Sequence, residues 1–147
     1  KAIPSFHHIA PDAVVAVEVR DAQWLTPQFV HALRDTGATF CMGLHAKMPP
    51  IDEQLHILRA LWPGPLVCRW NLNPVNGAYG YESAGEIYSP YNRMVDPDVD
   101  TRTKLAKVIA GTANAGQNVF VTVSNKAEGS APLSIIELAK AIQSSKR

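Results

Sequence analysis

Hydrophobic residues fall along the chain in two alternating patterns. Four runs are nearly continuous in apolar and β-branched residues: AVVAVEVR (13–20), ATFCMGL (38–44), PLVCRWNL (65–72) and NVFVTVSN (118–125). Runs of this kind are required of strands buried on both faces. Between them the apolar residues recur at helical spacing. Thr26 can cap a helix in which Pro27 takes the first position, Phe29, Val30 and Leu33 share a face, and Gly37 supplies the left-handed stop. The second helical segment runs from Ile51 to Trp62 with Leu55, Leu58 and Leu61 on one side, ended by Pro63 and Gly64. The third opens at Asp100 or Thr101, carries Leu105, Val108 and Ile109, and closes near Gly116. The last begins at Pro132 and presents Ile135, Ile136, Leu138 and Ile142.

Strand–helix alternation at this period predicts an α/β fold of parallel, right-handed βα units. The whole chain, 1–147, is accordingly expected to form a single domain of four such units. One connection breaks the rhythm: 73–100, NPVNGAYGYESAGEIYSPYNRMVDPDVD, follows the carboxyl end of the third strand. Loops of that length in a compact domain are usually functional or disordered. Tyr79, Tyr81 and Tyr88 argue against disorder, and the segment is read as a lid or substrate-binding loop.

Composition narrows the class without naming a function. The chain is 46% hydrophobic and 18% charged, with 14 Lys and Arg against 13 Asp and Glu. A formal net charge of +1 leaves no footprint of a duplex-binding protein. No apolar run is long enough to cross a membrane, so no membrane partner is expected. Cys41 and Cys68 sit inside apolar runs and make no disulfide framework; they are read as core thiols suited to a reducing cytoplasm. The chain opens on Lys1 in a segment that reads as the continuation of something earlier, the expectation for a piece of a longer protein.

Three blocks, VEVRDAQWL (17–25), CRWN (68–71) and NKAEGSAP (125–132), resemble in order and spacing landmarks of the domain of unknown function 72 family, also described as YecE-like. The resemblance spans nearly the whole chain and implies the C-terminal half of a TIM-barrel-like (β/α)₈ fold. It implies no activity, because the family's function is not established. Two positions depart from the family pattern. Where members often carry Arg-x-His-Gly, this chain has Arg69, Trp70, Asn71 and Leu72, and where members often carry paired asparagines it has Ser124 and Asn125.

Strand geometry nominates candidate chemistry independently. In the first strand Val15, Val17 and Val19 face the helices, which turns Ala16, Glu18 and Arg20 inward. In the third, Leu66, Cys68 and Trp70 share the outer face, leaving Arg69 and Asn71 inside. Glu18, Arg20 and Arg69 are thus expected to meet at the barrel mouth, either as a salt bridge plugging it or as an acid/base carboxylate beside anion-holding arginines.

After the fourth strand, Gly129 and Ser130 lead into a helix whose N–H groups could bind phosphate. Alternatively, Ser130 simply caps that helix. Lys126 adds a charge, Glu128 is a second candidate base or a partner for Lys126, and Asn125 a candidate orienting donor. Trp24 walls the pocket or packs beneath the rim. Of the histidines, His31 and His56 are read as surface residues, the adjacent His7 and His8 point to different sides, and only His45 is placed at the functional face.

No metal-ligand spacing, dinucleotide fingerprint, Walker loop, G-x-S-x-G or C-x-x-C occurs, so neither a metal nor a cofactor is expected. Three functions compete. The first is an enzyme acting on a small anionic (phosphorylated) substrate; the second is a nucleic-acid-processing or single-strand-binding protein. The third is a non-catalytic half-barrel that self-associates or pairs with a missing N-terminal half, because four units leave two raw sheet edges.

Overall fold

Among the described residues four parallel strands form one sheet, with the helices arranged around it. A computed structural model describes residues 12–145; His7 and His8 lie outside them. The strands are β1 (Ala16–Val17), β2 (Thr39–Leu44), β3 (Leu66–Trp70) and β4 (Val119–Val123), hydrogen-bonded in the order β1-β2-β3-β4. Every neighbour pair is parallel, with Val17 beside Phe40, Gly43 beside Arg69 and Arg69 beside Thr122. Five α-helices accompany them: α1 (Pro27–Thr36), α2 (Ile51–Ala60), α3 (Tyr81–Tyr88), α4 (Val99–Asn114) and α5 (Ala131–Ser145). This is the predicted α/β architecture of successive βα units, consistent with half of a (β/α)₈ barrel.

Alternation along the strands divides the sheet into two unlike faces. Phe40, Met42, Leu66, Cys68 and Trp70 point to the helices and are almost wholly buried. With Leu33, Ile57, Leu105, Ala106 and Leu138 they make the main core, against which Val15, Val17 and Val19 also pack. The other face is only partly covered. There the expectation of strands buried on both sides fails: Phe120 is 49% exposed and Thr122 is exposed too. This face would line a barrel interior, and no described residue closes over it at β4. β1 is also shorter than the apolar run 13–20, with two ladder residues and one strand neighbour.

The helix boundaries follow local chemistry. Thr26 Oγ1 accepts the Phe29 N–H at 3.2 Å, Pro27 opens α1, and Gly37 ends it at φ 75°. The start of α4 differs from expectation: Asp98 caps it, accepting the Thr101 N–H at 3.2 Å. α5 buries Ser134 and Leu138 and packs Ala141 and Ile142, the i, i+4, i+7, i+8 stripe of an amphipathic helix. Ile135 and Ile136 lie off that stripe and are about half exposed, against the expected apolar face.

The long connection is folded. It contains a 3₁₀ turn at Pro74–Asn76 and α3, and it carries its own small core of Leu72, Ala84 and Tyr88. The buried Tyr88 hydroxyl donates to Asp96 Oδ2 and accepts from Asn76 Nδ2, both at 2.7 Å. Asn73 ties the segment down at both ends, its N–H to the Lys126 carbonyl at 3.0 Å and its Nδ2 to the Asp96 carbonyl at 2.8 Å. A buried phenol with both partners satisfied fixes a loop far more firmly than surface contacts do.

Candidate functional site

Three adjacent strands deliver their last inward-facing residues to one place. Glu18 follows β1 by one residue, Gly43 is the last but one of β2, and Arg69 lies beside Gly43 in the ladder. The Glu18 carboxylate accepts from Arg20 Nε at 2.9 Å, Arg69 Nη1 at 2.6 Å and Asn71 Nδ2 at 3.3 Å. Gly43 makes this convergence feasible, since a Cβ there would stand 3.0 Å from Glu18 Oε1. The Glu18 side chain keeps 13% exposure, while those of Arg20 and Arg69 keep 49% and 47%. A carboxylate is held at the bottom, and the arginines that grip it still present N–H groups to solvent.

Above this triad opens a cleft of about 500 Å³. Arg20, Arg69 and Asn71 form its floor, His45 and Lys47 come from the loop after β2, and Tyr79, Tyr81 and Glu82 come from the long connection. Lys47 Nζ stands 4.8 Å from the Tyr79 ring centroid, and Lys126 Nζ stands 3.3 Å from that of Tyr81. Two cation–π contacts therefore brace the rim. Among the described residues neither lysine has a carboxylate within salt-bridge distance.

His45 is 7% exposed, and its Nδ1 accepts the Lys47 backbone N–H at 3.1 Å. That bond fixes the neutral tautomer with the proton on Nε2. Burial, reinforced by Arg20 and Lys47, lowers its pKa below the ordinary 6.5. Cys41 lies on the same sheet face as Gly43. Burial, with the Glu18 charge adding to it, pushes its thiol up to about 11, so it is no thiolate nucleophile at neutral pH. Cys68, on the helix side, is likewise raised by burial, and both cysteines are free and buried.

Other nominated residues lie elsewhere. Glu128 is fully buried: its Oε2 accepts the Asp98 N–H at 2.8 Å and pairs with Arg102 rather than Lys126. Its carbonyl takes the Val95 and Asp96 N–H groups at 2.8 and 3.0 Å. Asn125 Oδ1 accepts the Ala131 N–H at 2.8 Å, filling the capping role expected of Ser130. The phosphate loop expected at Gly129 and Ser130 is shut by packing. Both residues are buried, and a Cβ at Gly129 would come within 2.5 Å of the Arg93 carbonyl and 2.7 Å of the Val95 nitrogen. Trp24 ends a 3₁₀ turn (Ala22–Trp24), is 59% exposed and lines no part of the cleft, so it neither walls the pocket nor packs under the rim. His31 and His56 are exposed, as expected.

The cleft residues not nominated individually from sequence are Lys47, Tyr79, Tyr81 and Glu82. The Tyr-rich character of 73–100 was their signal; Lys47, three residues past β2, had none beyond its place at a strand end. Among the described residues no cluster of His, Cys, Asp and Glu could hold a metal ion, and no helix is long and apolar enough to cross a membrane.

No curated protein and no solved structure matches this sequence. A family model does, over residues 2–147. The parallel βα architecture agrees with what the three sequence blocks implied, and the chain belongs to the family described as protein of unknown function DUF72.

Proposed function

We propose that this chain binds a small anion, phosphorylated or carboxylated, in the cleft at the carboxyl ends of its strands, as the substrate-binding half of an enzyme site. One observation carries the reading. Glu18 locks two guanidinium groups side by side at the floor, yet both arginines remain about half exposed. Arginine forks oriented in advance bind oxyanions without a further ordering cost. Asn71 and Lys47 line the same space, and the helix-bearing loop covers part of it.

Glu18, nominated as a general acid or base, is in this reading first an orienting carboxylate, because three donors already occupy it. The neutral His45, whose Nδ1 is taken by the Lys47 N–H, offers the cleft wall a hydrogen-bond donor rather than a general acid. The test is calorimetric titration of the chain with inorganic phosphate and with citrate, beside Arg69→Ala. Saturable binding lost in the variant supports the proposal. Absence of binding by either anion, in a cooperatively folded sample, refutes it.

A second reading concerns assembly. Among the described residues β1 and β4 each have one strand neighbour, and Phe120 lies half exposed on the site-side face. Unpaired edges and a bare apolar face support a half-barrel that another set of βα units completes. We infer that residues 1–147 act as one domain, the C-terminal half of a barrel, completed by a preceding half or by a second copy. Light scattering that finds a cooperatively melting monomer of the isolated chain would refute this. The two free, buried thiols support a reducing compartment, the cytoplasm.

A further inference from the structure

The space above the arginines is too large and too aromatic for an anion alone. Its 500 Å³ lies within the range of sites that enclose a whole metabolite. Tyr79 and Tyr81, 91% and 48% exposed, present ring surface to this space. The segment that carries them is anchored by the buried Tyr88–Asp96–Asn76 network, so the rings are held out by a fixed support. A lysine lies over each ring and sets a cation next to each aromatic surface. Rings beside cations, above a floor of oriented arginines, match a ligand with a flat ring at one end and a phosphate at the other.

We infer that the cleft takes a free nucleoside monophosphate, its phosphate on Arg20 and Arg69 and its base against Tyr81 or Tyr79. This rests on the anion-binding reading above and adds the ligand's second half to it. A strand of nucleic acid carries the same chemistry. The observations favour the free nucleotide, because the chain's net charge is +1 and the cleft is lined by three cations, Arg20, Lys47 and Arg69. Lys47 lines the cleft and has no carboxylate within salt-bridge distance among the described residues, so turning to a phosphate costs it one cation–π contact and no ion pair.

The experiment is calorimetry on the full chain with three probes: inorganic phosphate, ribose 5-phosphate and adenosine monophosphate. Adenosine monophosphate should bind roughly five- to a hundred-fold more tightly than the other two, the increment expected of one base stacked on an aromatic ring. Combined Tyr79→Ala and Tyr81→Ala substitution should erase that increment, so that adenosine monophosphate binds no more tightly than ribose 5-phosphate. Replacing both by Phe should retain it, which also controls for folding. Equal affinity for all three probes, or an increment that survives the alanine substitutions, overturns the inference and leaves anion binding standing. Binding by none of the probes, with Arg69→Ala no different, overturns both. Tighter binding of an octathymidylate, weakening steeply with salt, overturns the free-nucleotide assignment in favour of a strand.

Discussion

Glu128→Ala tests most sharply whether that carboxylate is a structural post or part of the chemistry. In the native fold it is fully buried, accepts the Asp98 N–H at the start of α4 and pairs with Arg102, whose side chain is 12% exposed. Removing it strands a mostly buried guanidinium and leaves a helix N-terminal N–H without its acceptor. Breaking a buried pair from one side costs about 3–5 kcal/mol. At roughly 2–4 °C per kcal/mol for a chain of this size, the melting temperature should fall by about 6–20 °C. The companion variant carries Glu128→Leu with Arg102→Met. It removes both charges and should recover more than half of the loss, short of all of it, because the Asp98 N–H still lacks an acceptor. Circular dichroism melts of the three proteins suffice. A loss under about 1 kcal/mol for Glu128→Ala, the scale of surface changes, would refute the reasoning. So would a double variant no more stable than the single. Below the melt, phosphate binding by Glu128→Ala should be unchanged.

Further predictions follow from the floor and wall of the cleft. Gly43→Ala places a methyl group 3.0 Å from Glu18 Oε1. The chain should still fold, but the carboxylate must move and phosphate affinity should drop by about tenfold in calorimetry, the equivalent of one disturbed charge-assisted bond. His45 is held below its ordinary pKa of 6.5 by burial, so the unfolded chain binds its proton more readily than the folded one. Its contribution to stability is therefore complete above pH 6.5 and is lost as pH falls from there through the folded pKa. His45→Gln should flatten the melting profile between neutrality and pH 5, and an imidazole titrating at or above 6.5 by NMR would contradict this. Both thiols are buried, with that of Cys41 raised to about 11. Native protein at pH 8 should leave both unreacted with a disulfide reagent, and denatured protein should titrate two.

What the sequence disclosed, it disclosed through periodicity. The four strands and the helices flanking them were legible because apolar alternation and Thr26, Pro27 and Gly37 act over neighbours a few residues apart. The inward orientation of Glu18, Arg20, Arg69 and Asn71 follows from strand parity, and the structure brings all four together. Parity says nothing about tertiary cover. Glu128 and Lys126 look alike as charges in one short loop. Only the docking of residues 93–98 onto that loop buries the first, while the second lies over the Tyr81 ring. Trp24 shows the same limit: a large apolar ring is ordinarily covered, but here it is more than half exposed and lies outside the cleft lining. Tyr88 and Tyr81 share one short helix, yet the first is sealed by Asp96 and Asn76 and the second faces the cleft. No local pattern distinguishes them.

The position of Gly43 explains why the site lies where it does. In a parallel sheet neighbouring residues share a face, so Arg69 and whatever stands beside it in β2 must compete for the same inward space. Any side chain there would fill the room that the Glu18 carboxylate enters from β1. With glycine in the middle strand, an acid from one neighbour reaches a base from the other across β2. A cross-strand pair of this kind is expensive to bury and gains little when fully wet. Here it is neither: the acid is mostly covered and the bases are half open, an arrangement poorly suited to stabilising a core and well suited to presenting positive charge. That asymmetry separates the Glu18 cluster from Arg102–Glu128, where both partners are covered and the pair serves the fold.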